Sequence, residues 1–149
     1  PLDVRLGLDM GVCSDVCMPH RVDLQQHVEA GMKKRVPAIA AALASQPYSR
    51  QEAGVRRAEC ALAAIEGGMR IETRVTMPPA GDREEVVIEA GHPDIWVSDP
   101  ESRREGGTLV SVAEFVPMSG GAVAIDRSQV RITVLGGTYA VDIQGCERG

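Results

Sequence analysis

Aromatic residues are almost missing from this chain of 149 residues, which has one Trp, one Phe and two Tyr. A core must therefore be assembled from Val, Ile, Leu, Met and Ala, and the 44% hydrophobic content is sufficient for that. A surplus of basic charge is missing too: the formal net charge is −5. Neutralising phosphates needs a basic surface, so nucleic-acid binding is excluded as the main role. The densest basic runs, Lys33-Lys34-Arg35 and Arg103-Arg104, read as solvated surface. No run approaches the roughly 18 apolar residues that a membrane-crossing helix requires. The sequence opens on Pro1 without a charged and apolar leader. The expectation is that a secretory signal has been removed or that strands of a longer protein precede it.

Four cysteines are present, and their spacing divides them. Cys13 and Cys17 lie close together, whereas Cys60 and Cys146 are far apart. An even number suits an oxidising compartment and permits three full pairings; the spacing favours Cys13 with Cys17 and Cys60 with Cys146 as a structural disulfide.

The remaining pattern is that of strands. Leu2, Val4, Leu6, Leu8 and Met10 place an apolar residue at every second position, and Val22, Leu24, Gln26 and Val28 continue the alternation less cleanly beyond the cysteines. Pro37 followed by Ala38-Ile39-Ala40-Ala41-Ala42-Leu43-Ala44 predicts a short connecting helix. From Gln51 to Ile65 a helix competes with a strand. The hairpin signal that follows, Gly67-Gly68 and then alternating Met69, Ile71, Thr73, Val75 and Met77, favours strand for the second half. Further strands are predicted over 85–90, 95–98, 108–116, 130–135 and 139–143, the last two joined by Gly136-Gly137. Trp96 is expected half-buried, and His92 in a loop. The fold class is thus mainly β: an antiparallel, immunoglobulin-like sandwich present as a partial N-terminal unit over 1–30, a helical connector over 31–49 and a second β-sandwich over 50–149.

Chemistry concentrates in Cys13-Ser14-Asp15-Val16-Cys17. A fully extended segment would hold its end Cα atoms about 13 Å apart, whereas a disulfide needs roughly 4.4–6.8 Å. The segment must curl, as a tight loop or a single helical turn, and Gly11 offers freedom to begin the bend. Asp15 inside the loop disfavours a thiolate, and only His20 and Arg21 bring positive charge nearby. The pair is suited to being attacked by a partner's thiolate and relaying electrons. A five-residue loop gains little from closure entropy, which argues against a mere staple.

Gly11-Val12-Cys13-Ser14-Asp15-Val16-Cys17-Met18-Pro19, entered from an alternating strand and followed by another, resembles the periplasmic N-terminal domain of the DsbD/ScsB thiol-disulfide reductases. The resemblance implies an immunoglobulin-like sandwich in the periplasm, with Cys13 and Cys17 as the redox pair and no cofactor. Implied partners are a thioredoxin-like or membrane-embedded redox protein. Two other functions compete. Cys13, Cys17, Met18 and His20 form a soft donor set for Cu(I), similar to the motif of the Sco copper chaperones, although those place it at the start of a helix. The alternative is a secreted β-sandwich binding module whose disulfides are purely structural. Zinc held by Cys13, Cys17, His20 and His27 fits no common finger spacing.

Overall fold

The computed structural model describes residues 1–31, 36–121 and 124–149. The basic run Lys33-Lys34-Arg35 lies outside the described residues. The chain divides into two compact units, Pro1–Ala44 and Ser45–Gly149.

The first unit opens with two long strands, β1 (Leu2–Cys13) and β2 (Cys17–Val28), which pair antiparallel along their whole length, from Leu2 opposite Val28 to Cys13 opposite Cys17. Among the described residues these two strands form a two-stranded sheet of their own. The helix α1 (Pro37–Ala44) follows, with proline in its first turn, where a missing N–H costs nothing.

The second unit is a β-sandwich. Its strands run β3 (Tyr48–Ser49), β4 (Arg57–Ile65), β5 (Gly68–Thr76), β6 (Glu84–Glu89), β7 (Ile95–Val97), β8 (Glu101–Glu105), β9 (Thr108–Pro117), β10 (Arg131–Gly136), β11 (Ala140–Gln144) and β12 (Glu147–Arg148). One sheet has the order β3-β11-β10-β6, the other β12-β4-β5-β9-β7, and β8 also pairs with β9. The strand reading of 57–65 holds. The helical signal before it amounts to a turn in which Ser49 and Glu52 form a capping box: the Ser49 N–H (2.8 Å) and hydroxyl (2.6 Å) both donate to Glu52 Oε2.

Alternate residues of the two sheets fill the core. Ile71, Val75 and Phe115 come from one, and Ile132, Val134, Val141 and Ile143 from the other. The lone Phe is thus central, while Tyr48 and Tyr139 stack with ring centroids 5.2 Å apart. Trp96 is 54% exposed, close to the half-buried expectation. In β7 only Ile95 turns fully inward, and strand alternation sends Trp96 to the other side.

Two neighbouring glycines end β10 with different constraints. A Cβ on Gly136 would overlap the backbone of Ala80, whereas one on Gly137 would meet nothing within 4 Å. Gly136→Ala is expected to destabilise the sandwich by about 3 kcal/mol, and Gly137→Ala by less than about 0.5 kcal/mol. Paired thermal melts check the difference.

Candidate functional site

The register of the β1–β2 ribbon decides what the cysteines can reach. Residues directly opposite one another in an antiparallel pair share a face, and successive residues alternate between faces. One face therefore carries Leu2, Val4, Leu6, Leu8, Met10 and Val12 from β1, with Met18, His20, Val22, Leu24, Gln26 and Val28 from β2. The other carries the pairs Asp3–His27, Arg5–Gln25, Gly7–Asp23, Asp9–Arg21, Gly11–Pro19 and Cys13–Cys17.

Cys13 and Cys17 are joined by a disulfide at the tip of the ribbon, with Cα atoms 4.0 Å apart. Ser14, Asp15 and Val16 make the connecting loop, so the curl is a hairpin turn rather than a turn of helix. Both cysteines are exposed. Their neighbours on the same face are Gly11, which has no side chain, and Pro19, which leaves the strip beside the sulfurs low.

Beyond that strip the face is ionic. Arg21 donates to Asp9 Oδ2 at 3.3 Å and to Asp23 Oδ2 at 3.1 Å, and His27 Nδ1 lies 2.6 Å from Asp3 Oδ1. These groups are largely exposed, so each pair contributes little to stability. Their effect is on charge: the guanidinium of Arg21 already faces two carboxylates, and the tip loop itself contributes only Asp15. Nothing described at the tip supplies the unpaired cation that would lower a cysteine's pKa.

The copper donor set does not converge. Met18 and His20 lie on the apolar face, opposite the one that bears Cys13 and Cys17. Strand parity is the cause: positions 18 and 20 are even, 13 and 17 odd, and the hairpin loop preserves that relation across the two strands. Among the described residues no group of three or more His, Cys, Asp or Glu side chains is placed to hold a metal ion. His27, the last member of the zinc alternative, is on the cysteine face but ten residues along β2 from Cys17 and paired with Asp3.

Cys60 and Cys146 are also bonded, with Cα atoms 5.7 Å apart, in a contrasting setting. Cys60 is fully buried in β4. Cys146 lies where the chain leaves β11 of one sheet and becomes β12 on the edge of the other, at Gly145 with φ 76°. The backbone around it is tied down: Cys146 N–H donates to Arg127 O at 3.1 Å, and Gly149 N–H to Cys60 O at 3.3 Å.

One ionic group was not apparent in the sequence. Arg104, expected on solvated surface with Arg103, is four-fifths buried, and its guanidinium makes two 2.6 Å bonds to the Glu84 carboxylate. It also donates to Met77 O at 3.1 Å. The correction has a topological reason. Glu84 belongs to one sheet and Arg104 to a strand attached to the other, so the pair forms only when the sandwich closes.

With this geometry established, comparison with known proteins is informative about the fold. No protein-family model matches the sequence, and no curated protein matches it. Among solved structures, the N-terminal periplasmic domain of ScsB from Proteus mirabilis superposes with a TM-score of 0.66 over 99% of this chain, at 12% identity. The fold is that of the ScsB N-terminal domain. The match spans 58% of that ScsB chain, so a substantial part of it has no counterpart here. ScsB thus supports a mainly β, immunoglobulin-like architecture for this chain. Among the described residues no helix is long and apolar enough to cross a membrane.

Proposed function

We propose that this chain is a periplasmic thiol-disulfide interchange protein that relays electrons through Cys13 and Cys17. The observation that carries the proposal is the contrast between the two disulfides: one exposed at a ribbon tip beside a low Gly11–Pro19 strip, the other buried between sheet and crossover. Closure entropy points the same way. The short loop gains about 2 kcal/mol and the 86-residue separation about 4–5 kcal/mol, so the exposed bond is the weaker constraint on the fold. The likeness to a periplasmic ScsB domain supports the compartment and the class of chemistry.

In the proposed reaction a thiolate of a dithiol partner attacks one sulfur of the Cys13–Cys17 bond. A mixed disulfide forms, and the other cysteine leaves as a thiolate that takes up a proton. The partner's second thiolate then attacks the partner's own sulfur in the mixed disulfide. That step releases reduced Cys13 and Cys17 and leaves the partner oxidised. Run in reverse against an oxidised partner, the same steps pass the two electrons on. The donor would be thioredoxin-like or a membrane-embedded dithiol protein. In this reading residues 1–30 carry the chemistry, 31–49 connect, and 50–149 form a companion domain.

Titration with dithiothreitol at pH 7, followed by alkylation and peptide mass spectrometry, tests the proposal. Cys13 and Cys17 are expected to be alkylated at concentrations at least tenfold below those that open Cys60–Cys146. Simultaneous opening of the two bonds, or earlier opening of Cys60–Cys146, would refute it. A second outcome is expected with a reduced thioredoxin as electron donor: it oxidises in the presence of the wild-type chain, and Cys17→Ser abolishes that oxidation.

A further inference from the structure

Glycine inside a strand weakens it and marks places where a second backbone comes close. β1 holds two glycines on the face that bears the disulfide, and only one has a local reason. A Cβ on Gly7 would come within 3.3 Å of Asp23 Oδ1 and 3.6 Å of Arg21 Nη2, so ion-pair side chains lie across it. Gly11 is different. It pairs with Pro19 in the ladder, its φ is not left-handed, and the bend falls later, at Ser14, Asp15 and Val16. A Cβ there would meet Cys13 Sγ at 3.8 Å, an ordinary van der Waals distance. The backbone and the packing of the ribbon thus both admit a side chain at position 11, and the atom it would touch is a sulfur of the exposed bond.

We propose that Gly11 is a specificity determinant of the exchange: its bare backbone gives a protein partner's main chain the room it needs beside the Cys13–Cys17 bond, room that a small dithiol does not require. The inference rests on the redox reading above and deepens it. Distance carries the argument. When the partner's sulfur bonds to one cysteine and the other leaves as a thiolate that takes up a proton, the two bonded residues hold their Cα atoms about 4.4–6.8 Å apart. Position 11 is about 6.7 Å along the strand from Cys13 and, as the diagonal neighbour across the pair, about 7–8 Å from Cys17. Whichever sulfur is attacked, the chain flanking the partner's cysteine comes down where a side chain on position 11 would stand. Pro19, opposite Gly11, has its ring tied to its own backbone and keeps the other half of the strip low. Dithiothreitol forms the same bond but brings no flanking chain with it.

Rates of reduction of the full chain by a reduced thioredoxin and by dithiothreitol, each followed by alkylation of Cys13 and Cys17, test the proposal. The variants are Gly11→Val, Gly11→Ala and Gln25→Val. The last puts the same branched side chain on the same face, eight residues along β2 from Cys17. Gly11→Val is expected to lower the thioredoxin rate at least about tenfold and Gly11→Ala about threefold, while both keep the dithiothreitol rate within about twofold of wild type. Gln25→Val should match wild type with both reductants. The alanine variant carries the test if the larger side chain disturbs the ribbon. Equal slowing with both reductants overturns the proposal, because the side chain then acts on the sulfurs or on contacts within the chain and not on the partner. So does slowing by Gln25→Val as large as that by Gly11→Val. Reduction of both Gly11 variants by thioredoxin at the wild-type rate overturns it too, and leaves the redox reading standing. A wild type that thioredoxin does not reduce overturns the redox reading and the inference with it.

Discussion

Replacing Cys60 and Cys146 together by Ala is expected to lower the stability of the sandwich by about 4–5 kcal/mol, the largest effect of any change considered. The bond spans 86 residues, and the closure entropy it removes from the unfolded chain scales with the logarithm of that length. For a unit of this size the loss corresponds to a fall in melting temperature of about 20 °C or more. The native state adds to the effect. Cys60 is fully buried, and β12 meets β4 in only two pairs, Glu147 with Glu59 and Arg148 with Cys60. Without the bond the crossover at Cys146 is held by single hydrogen bonds and the Arg50–Glu147 ion pair, 3.0 Å long and largely exposed. The C-terminal residues should therefore exchange their amide hydrogens at rates close to those of an open chain. Cys13→Ala with Cys17→Ala should leave the melting of the sandwich unchanged, because that bond closes a loop in the other unit. Calorimetry on both double variants makes the comparison. Equal losses in the two would show that the sandwich does not depend on the buried bond in the way its loop length implies.

Much of the architecture can be read from the sequence because strand periodicity is a local signal. The alternation from Leu2 to Met10, the run from Met69 to Met77 and the Gly-marked turns all correspond to elements of the structure. What escapes is the element whose stabilisation is not local. Glu101–Glu105 contains four charged residues in five and has no apolar alternation, yet it forms a strand because β9 offers it a partner across the tight Gly106-Gly107 turn. The site is partly legible for the same reason. The position and curl of Cys13-Ser14-Asp15-Val16-Cys17 follow from spacing, whereas the placement of Met18 and His20 on the opposite face requires the register of the ribbon. Counting parity from Cys17 along β2 would have revealed it, since a strand turns positions 18 and 20 away from position 17. Arg104 shows the opposite limit. Nothing in Arg103-Arg104 distinguishes a solvated arginine from one that bridges two sheets, because its partner lies 20 residues away on another strand.

That bridge is the origin of the second large effect. Glu84→Ala and Arg104→Ala are each expected to destabilise the sandwich by about 3 kcal/mol, because removing one partner of a buried pair leaves the other charge uncompensated. The side chains are only 8% and 20% exposed, so water cannot take over the lost contacts. Each change also strips a backbone group of its partner. Glu84 Oε1 accepts from the Ala80 N–H at 2.9 Å, and Arg104 donates to Met77 O. The double variant should be little worse than either single one, since the charge left behind by the first change is removed by the second; a double-mutant cycle in urea measures that coupling. The pair also fixes a pH dependence. Burial pushes the Glu84 carboxyl up, but the Arg104 hydrogen bonds, the Ala80 N–H and the guanidinium charge together outweigh it and hold the carboxyl below its ordinary value. A group with a depressed folded pKa contributes stability that is fully present above its unfolded pKa, about 4.3, and is lost as pH falls through the folded one. The wild-type sandwich should therefore lose stability below about pH 4. In Glu84→Gln this contribution is missing at every pH, so the melting temperatures of variant and wild type should converge as the solution is acidified. A difference that stayed constant from pH 7 to pH 3 would mean that the charge of Glu84 is not what joins the two sheets.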